Sequence, residues 1–210
     1  MSILQEISEN LQKGRSKAVC SLVETALNEN YSAKDIMQSM MDGMAVIGEK
    51  FKKNEVFVPE VLISARAMNK GIALLKPHLQ EADVHAAGRV CIGTVKGDLH
   101  DIGKNLVKLM LESKGLEVID LGVDVADEAF LDTYDKNPDT KIICLSALLT
   151  TTMPAMRSAV AKINAAPWRS KVKVMVGGAP ITQAFCDEIG ADCYTSDAAS
   201  AAEAAKKLAE

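Results

Sequence analysis

The motif with the clearest chemical potential is Asp98-x-His100-x-x-Gly103, within the stretch GTVKGDLHDIGKNLVK at residues 93–108. A carboxylate two positions before a histidine can accept a hydrogen bond from one ring nitrogen, which leaves the other nitrogen free to bind a metal or abstract a proton. The same pair also suits a surface histidine in a loop, with Asp98 capping the next helix. The motif alone therefore leaves a functional and a structural interpretation open.

The glycines and the lysine of this stretch do not form a phosphate-binding loop. A P-loop has four residues between its glycines and a Ser or Thr after its lysine. Here five residues separate Gly97 from Gly103, and an asparagine follows the lysine. Gly93, Gly97 and Gly103 also do not match the G-x-G-x-x-G pattern of dinucleotide-binding folds. The glycines therefore serve another close approach, and His100 is the residue to explain.

Hydroxyl and glycine residues lie at the ends of later apolar segments. Hydroxyls lie near the end of KIICLSAL at Ser146 and just after it at residues 150–152, all threonines. The Gly177-Gly178 pair ends KVKVMVGG, and Thr195 lies in DCYTS. If these segments are parallel strands, their carboxyl ends meet at one edge of the sheet, beside the loop that holds the histidine. Taken alone, the glycine pair also suits a plain turn, and the last segment suits a helix N-cap.

The elements that position these residues show two periodicities. After residue 89, five short apolar runs alternate with helical patterns, which predicts a flavodoxin-like, Rossmann-type α/β domain with a five-stranded parallel sheet. Before residue 80, apolar residues recur at helical spacing and predict an all-α bundle of four helices, one with a capping box at Ser32 and Asp35 and an apolar stripe of Ile36, Met40, Met44, Ile47 and Phe51. The predicted division is a helical domain at 1–80, a linker at 81–88 and an α/β domain at 89–210.

Composition excludes several classes of function. The 24 basic and 28 acidic residues give a net charge of −4 without a basic stripe, so a nucleic-acid binder is not expected. No apolar run approaches the roughly 20 residues of a membrane span, and a cytoplasmic protein is expected. The five cysteines form no C-x-x-C pair, and most of them are expected to be core thiols. With only three scattered histidines, any metal must bring most of its own ligands.

Together, Asp98-x-His100-x-x-Gly103, Ser146-x-Leu148 and Gly177-Gly178 resemble the cobalamin-binding domain of corrinoid methyltransferases and mutases. The preceding stretch GEKFKKNEVFVPEVLISARAM resembles the four-helix cap that accompanies this domain in methionine synthase and in the corrinoid proteins of anaerobic methyltransferase systems. The resemblance covers nearly the whole chain. It implies a bound cobalamin or related corrinoid in the base-off form, with His100 as the lower axial ligand of cobalt.

The resemblance also assigns roles around the cofactor. His100, Asp98 and Ser146 would be the catalytic set, with the latter two forming a relay behind the imidazole. We expect the His100 and Asp98 pair to take up a proton when cobalt is demethylated. Lys104 and Asn105 would face either the corrin side chains or water. The implied cofactor-binding residues are Asp98, Leu99, His100, Asp101, Gly103, Ser146, Leu148, Thr150, Gly177, Gly178 and Thr195.

The helical domain would protect the upper face of the corrin and move aside when a partner docks. The candidate cap residues are Phe57, Val58, Val61 and Met68. Each of them also suits the core of the bundle.

The function implied by the resemblance is that of a methyl carrier rather than a complete enzyme. The carrier would accept a methyl group on cobalt from a substrate-specific methyltransferase and deliver it to a second methyltransferase that uses a thiol or tetrahydrofolate acceptor. A reductive activase would be a further partner. The first choice of donor is a quaternary amine or betaine, followed by a methylamine or a methoxy-aromatic compound, with methanol a further candidate, in one-carbon metabolism of the anaerobic, methylotrophic kind.

Three alternatives remain open at this stage. A cobalamin-binding subunit of a radical mutase would share the histidine motif, but the helical cap argues against it. A cobalamin or light sensor would be expected to carry a DNA-binding module, which the sequence does not show. A flavodoxin-like module for another ligand would make the histidine incidental.

Overall fold

The computed structural model describes residues 2–79 and 88–209, and these fall into two compact units. The first is helical and the second is an α/β unit. The predicted linker at 81–88 lies outside the described residues except for Gly88, so its limits stay a prediction. No helix in the two described ranges is both long and apolar enough to cross a membrane.

The helical unit contains the four predicted helices, which are α1 (Ile3–Gln12), α2 (Ser16–Asn28), α3 (Ala33–Lys52) and α4 (Val58–Leu75), with a 3-10 turn at Lys76–His78. The predicted N-cap of α3 is present, because the Ser32 hydroxyl accepts from the amide of Asp35 at 3.0 Å. The predicted stripe is buried at Ile36, Met40, Met44 and Ile47, while Phe51 is half-buried.

The residues proposed for a cap divide between core and surface. Val61 and Met68 are completely buried in the helical unit and therefore belong to its core. Val58 is half-buried, whereas Phe57, the N-cap residue of α4, is 63% exposed. Val61 and Met68 are thus core residues of the bundle, whereas Phe57 is not.

The second unit alternates strands and helices as predicted. The strands are β1 (Arg89–Thr94), β2 (Glu117–Asp120), β3 (Thr140–Ser146), β4 (Lys173–Gly177) and β5 (Cys193–Tyr194). The helices are α5 (Ile102–Glu112), α6 (Asp127–Lys136), α7 (Met153–Ala165), α8 (Gln183–Ile189) and α9 (Ala198–Ala209), with 3-10 turns at Thr150–Thr152 and Arg169–Lys171. The predicted fold class, four helices followed by a five-stranded parallel α/β unit, is confirmed.

The five strands are parallel in the order β2-β1-β3-β4-β5. The order reverses between β1 and β3, and a ligand of such a sheet binds at the carboxyl ends of the strands at this point. The register places Thr94 beside Ser146, and Ser146 beside Gly177. Three predicted loops therefore leave the sheet at the same edge.

One face of the sheet packs on α6, α7 and α8 through a continuous apolar core. Phe130 is completely buried in this core, and Trp168 at its margin stacks on Tyr134 with ring centroids 4.2 Å apart. Since Trp168 is the only tryptophan in the sequence, its fluorescence reports on the α/β unit alone. The core also holds inert thiols, because burial raises the pKa of Cys91 to about 12.

Candidate functional site

The predicted histidine lies in the loop between β1 and α5, beside a completely buried carboxylate. Oδ1 of Asp98 accepts from Nδ1 of His100 at 2.7 Å and from its backbone amide at 3.1 Å. The histidine side chain is half exposed. The motif therefore forms the pairing expected from its spacing, with the carboxylate inside and the imidazole at the surface.

The second oxygen of this carboxylate ties the loop to the residues after β3. Oδ2 of Asp98 accepts from the amides of Leu148 at 2.7 Å and Leu149 at 3.3 Å, and from the hydroxyl of Thr152 at 2.8 Å. The two loops on either side of the switch point are thus joined through one side chain. These contacts occur because the chain after β3 turns back through its 3-10 turn toward the first loop.

The hydrogen bonds determine the charge of Asp98. Burial by itself would raise its pKa, but the donors from Leu148, His100 and Thr152 outweigh burial and hold the pKa of Asp98 well below its ordinary value. An ionised carboxylate can only accept hydrogen bonds, so Nδ1 of His100 carries the hydrogen between them. Nε2 then keeps its lone pair and is the atom available to a metal.

A third contact holds the backbone of the histidine. The hydroxyl of Thr94, the last residue of β1 and completely buried, donates to the carbonyl of His100 at 2.9 Å. The ring and the backbone of His100 are therefore both fixed from the sheet side, which leaves its Nε2 edge as the accessible part.

Ser146 lies beside the histidine loop, at the strand end predicted for it, and its role in the relay stays a prediction. It ends β3 between Thr94 and Gly177, and its carbonyl accepts from the amide of Val95 at 3.0 Å. Among the described residues, the hydroxyl that binds Asp98 is that of Thr152, six positions later. The sequence indicated a hydroxyl-rich turn but could not reveal which hydroxyl the 3-10 turn brings back to the carboxylate.

Large apolar side chains are exposed before and after His100 in the sequence, and also in the loop after β3. Leu99 and Ile102 are 72% and 76% exposed, and Leu148 and Leu149 of the second loop are 42% and 41% exposed. Exposed apolar groups of this size at a functional edge are typical of a ligand-binding surface. Only Leu99 and Leu148 of these four were predicted from the sequence.

The glycine pair after β4 provides space beside these loops. A Cβ at Gly178 would lie 1.8 Å from the carbonyl oxygen of Ala147, and the φ of Gly178 is +127°, so only glycine fits there. A Cβ at Gly177 or at Gly103 would meet nothing within 4 Å, which means that these two glycines border open space. The pair therefore permits close approach of backbones and leaves room for a ligand.

The remaining predicted residues have more distant or supporting positions. Asp101 accepts from the side-chain amide of Asn105 at 3.1 Å at the start of α5. Thr150 is exposed at the start of the 3-10 turn, and Thr195 follows β5, an edge strand of the sheet. The structure brings Asp98, Leu99, His100 and Leu148 together by direct contact or chain adjacency, and Ser146 and Gly177 by strand register.

Lys104 does not face solvent, which was one of the two positions considered for it. Its ammonium group is almost completely buried and lies 2.6 Å from Oδ1 of Asp120 and 2.8 Å from the side-chain oxygen of Asn105. Burial of an unpaired lysine is costly, so the acidic end of β2 explains this position.

Two models described as B12 binding domains match the chain, one over residues 88–206 and one over residues 3–76. The chain belongs to the family of B12-binding corrinoid proteins. It is 40% identical over 207 residues to the dimethylamine corrinoid protein of Methanosarcina barkeri, covering 98% of this chain and 97% of that protein. A cobalamin-binding protein of Desulfitobacterium hafniense has a similar structure, with a TM-score of 0.83, 28% identity and 98% of each chain covered.

Similarity extends to a structure that contains a methyltransferase. The methanol:cobalamin methyltransferase complex of Methanosarcina barkeri matches with a TM-score of 0.87 and 28% identity, over 99% of this chain and 79% of that chain. The monomethylamine corrinoid protein of Methanosarcina barkeri is 33% identical over 98% of both chains, with a TM-score of 0.56. Corrinoid binding, predicted from three short motifs, is thereby supported across nearly the whole length of this B12-binding protein.

The residues of the site fit a corrinoid. The imidazole offers one uncommitted nitrogen to a metal whose other ligands would belong to a macrocycle. The exposed leucines and Ile102 provide apolar contact for a large ring, and the open space at Gly177 and Gly103 provides room for an extended substituent. The site of the B12-binding protein thus combines one uncommitted imidazole nitrogen, an apolar surface and open space for a substituent.

Substitution of Asp98 by asparagine gives a pH-dependent test of the buried carboxylate. The pKa of Asp98 is lowered in the folded protein, so its contribution to stability is present above its ordinary pKa of about 4 and is lost as the pH falls through the folded-state value. We expect Asp98→Asn to lower the free energy of unfolding by about 2 kcal/mol at about pH 7. The deficit should shrink as the pH is lowered below about 4.

Urea unfolding followed by Trp168 fluorescence measures this difference. Asp132→Asn, at an exposed aspartate of α6, is the matched control and should show little dependence on pH. A deficit for Asp98→Asn that stays constant between neutral and acidic pH would contradict an ionised Asp98.

The hydroxyl bound to Asp98 can be identified by a second set of variants. Thr152→Val removes a donor from a buried carboxylate while keeping the shape, and we expect it to lower the free energy of unfolding by about 1–3 kcal/mol. Thr152→Ser keeps the hydroxyl and Ser146→Ala removes the other one, so both should cost less than about 1 kcal/mol. If Ser146→Ala proves the more damaging in urea unfolding, the relay instead passes through Ser146.

Proposed function

We propose that this protein is a corrinoid methyl carrier in a methyltransferase system. The observation that carries the proposal is the imidazole of His100, fixed at Nδ1 by a buried, ionised carboxylate and free at Nε2 among exposed apolar side chains. When bound, a corrinoid supplies a cobalt centre that accepts a methyl group and gives it up again. The chain itself binds, orients and protects that centre.

His100 would be the lower axial ligand of cobalt, in place of the cofactor's own base. Two hydrogen bonds support this role, because the Asp98 carboxylate fixes the tautomer and the Thr94 hydroxyl fixes the backbone. The displaced base would lie along the open space at Gly177 and Gly103. A ligand oriented in this way needs little rearrangement before it binds, which favours the base-off form.

The hydrogen-bonded chain behind His100 would serve the proton uptake proposed for demethylation of the cofactor. Nε2 is the atom that would hold the proton, because Nδ1–H donates to Oδ1 of Asp98. The Thr152 hydroxyl donates to the other oxygen of the same carboxylate and stabilises its charge. The residues that would serve proton uptake are therefore His100, Asp98 and Thr152.

The helical unit would supply the protecting surface. Among the four residues predicted for this role, Phe57 has the exposure that a cap requires, and Leu62 and Ile63 on α4 are also exposed, at 39% and 43%. Val61 and Met68 are withdrawn from the proposal because they form the core of the unit.

The donor would be a methylamine, with dimethylamine the first choice. This choice rests on relatives called dimethylamine corrinoid proteins, which are 39–40% identical over nearly the full length. Similarity to the methanol:cobalamin methyltransferase complex supports a substrate-specific methyltransferase as the first partner. A second methyltransferase with a thiol or tetrahydrofolate acceptor, and a reductive activase, complete the proposed cycle.

Removal of His100 tests the ligand. The apoprotein is incubated without oxygen with hydroxocobalamin and desalted, and its cobalt content and visible spectrum are compared with those of His100→Ala. We expect near-equimolar corrinoid with a histidine-ligated, base-off spectrum for the natural sequence and loss of that spectrum for the variant. His78→Ala, in the helical unit, is the control and should behave as the natural sequence does. An unchanged spectrum in His100→Ala would remove His100 from the proposal.

Methyl transfer is tested with the corrinoid-loaded, reduced protein. It is incubated with dimethylamine, monomethylamine, methanol or betaine, each with a methyltransferase for that donor, and the demethylated product is measured. We expect product from dimethylamine and at least about tenfold less with His100→Ala. A preference for another donor would reassign the substrate, whereas no turnover with any donor would contradict the carrier function.

A further inference from the structure

Asp124, in the loop between β2 and α6, contacts the histidine loop with both its side chain and its backbone. Its Oδ1 accepts from the amide of Gly97 at 2.7 Å, and its own amide donates to the carbonyl of Asp98 at 2.9 Å. These two bonds hold the Lys96–Gly97 peptide and the Asp98–Leu99 peptide, and so bracket Gly97 and Asp98, the residue whose carboxylate orients His100. Asp124 is exposed and was not among the residues singled out from the sequence.

The neighbouring residues hold the Asp124 loop against the end of β1. The amide of Val125 donates to the carbonyl of Thr94 at 3.0 Å, and the amide of Thr94 donates to the carbonyl of Gly122 at 3.0 Å. Val95 and Val125 form an isolated parallel bridge. The hydrogen bonding between the chain segments of β1 and β2 thus continues beyond the ends of both strands. It places Asp124 beside the start of the histidine loop.

The backbone of Asp124 is in the left-handed region, with φ at +53°. Few residues other than glycine adopt this conformation, and it persists where the surrounding contacts determine it. Aspartate and asparagine tolerate it best among the remaining residues. Here the residue with the left-handed backbone is also the residue that makes the two hydrogen bonds to the histidine loop.

The buried pair at the end of β2 supports the same loop from the other side. Oδ1 of Asp120 accepts from the amide of Gly122 at 2.9 Å as well as from Lys104 on α5. The loop is therefore anchored to α5 at one end and to β1 along its length. These contacts fix the backbone of the loop that carries Asp124.

We propose that Asp124 is a positioning residue for the cobalt ligand. Asp124 is hydrogen-bonded to the backbone of Gly97 and Asp98. The Asp98 carboxylate is in turn hydrogen-bonded to Nδ1 of His100, and this bond sets the direction in which Nε2 points. The inference rests on the proposed role of His100, and it adds a surface residue on a different loop that sets the geometry of that ligand without touching it.

The first measurement is made on the apoprotein and needs no corrinoid. Hydrogen exchange of the Gly97 amide is followed by NMR in the natural sequence, Asp124→Gly and Asp124→Asn. Glycine accepts the left-handed backbone but has no acceptor, so exchange at Gly97 should accelerate about tenfold. Asparagine keeps an oxygen acceptor and tolerates the same φ, so its exchange should stay within about threefold of the natural rate.

The second measurement is the fraction of histidine-ligated cobalt after loading with hydroxocobalamin. We expect Asp124→Gly to bind corrinoid but to show a ratio of ligated to unligated cobalt about fivefold lower, and Asp124→Asn to restore it. Asn30→Gly, at another left-handed residue with φ of +64°, is the matched control for a glycine substitution and should leave the ratio unchanged.

The outcomes separate the two proposals. A natural sequence without histidine-ligated cobalt overturns the proposed role of His100. Normal ligation in both the natural sequence and Asp124→Gly overturns the positioning role, even if Gly97 exchanges faster. Equal loss in Asn30→Gly, or failure of Asp124→Asn to restore ligation, also overturns it.

Discussion

The geometry of the site depends on one buried negative charge. The Asp98 carboxylate is completely removed from solvent and accepts hydrogen bonds from its own loop and from donors 50 to 54 residues later in the sequence. Burial of an unpaired carboxylate costs several kcal/mol, so the position is stable only because the donors are all present. The charge, its donors and the orientation of the imidazole therefore form one cooperative arrangement.

The same arrangement explains why the site lies at the switch point of the sheet. Adjacent parallel strands β1 and β3 send their loops in the same direction, and a single carboxylate can reach both. The loop after β2, on the other side of β1, contributes Asp124. The histidine loop is thus supported by backbone or side-chain contacts from the loops of both strands adjacent to β1.

Much of this could be predicted from the sequence, where the signal is local. The Ser32 cap of α3, the apolar stripe of that helix and the alternation of strands and helices all follow from spacing over a few residues. The Asp98 and His100 pair is equally local, since only Leu99 separates its members. Its contact was therefore expected before any tertiary structure was known.

The parts that could not be predicted depend on tertiary contacts. Ser146 and Thr152 both carry hydroxyls, and only the path of the 3-10 turn decides which one reaches Asp98. The burial of Lys104 depends on an acidic partner 16 residues away. Val61 and Phe57 are both apolar and close in sequence, but helix orientation buries one and exposes the other. Periodicity alone gives no such orientation relative to neighbouring helices.

The 54-residue separation between Asp98 and Thr152 has a consequence for biosynthesis. The local pair of Asp98 and His100 is synthesised well before Leu148, Leu149 and Thr152, which complete the hydrogen bonds of the carboxylate. Gly177, which borders open space at the end of β4, follows later still. The order of synthesis therefore places the donors of the buried carboxylate before the last residue that borders the open edge.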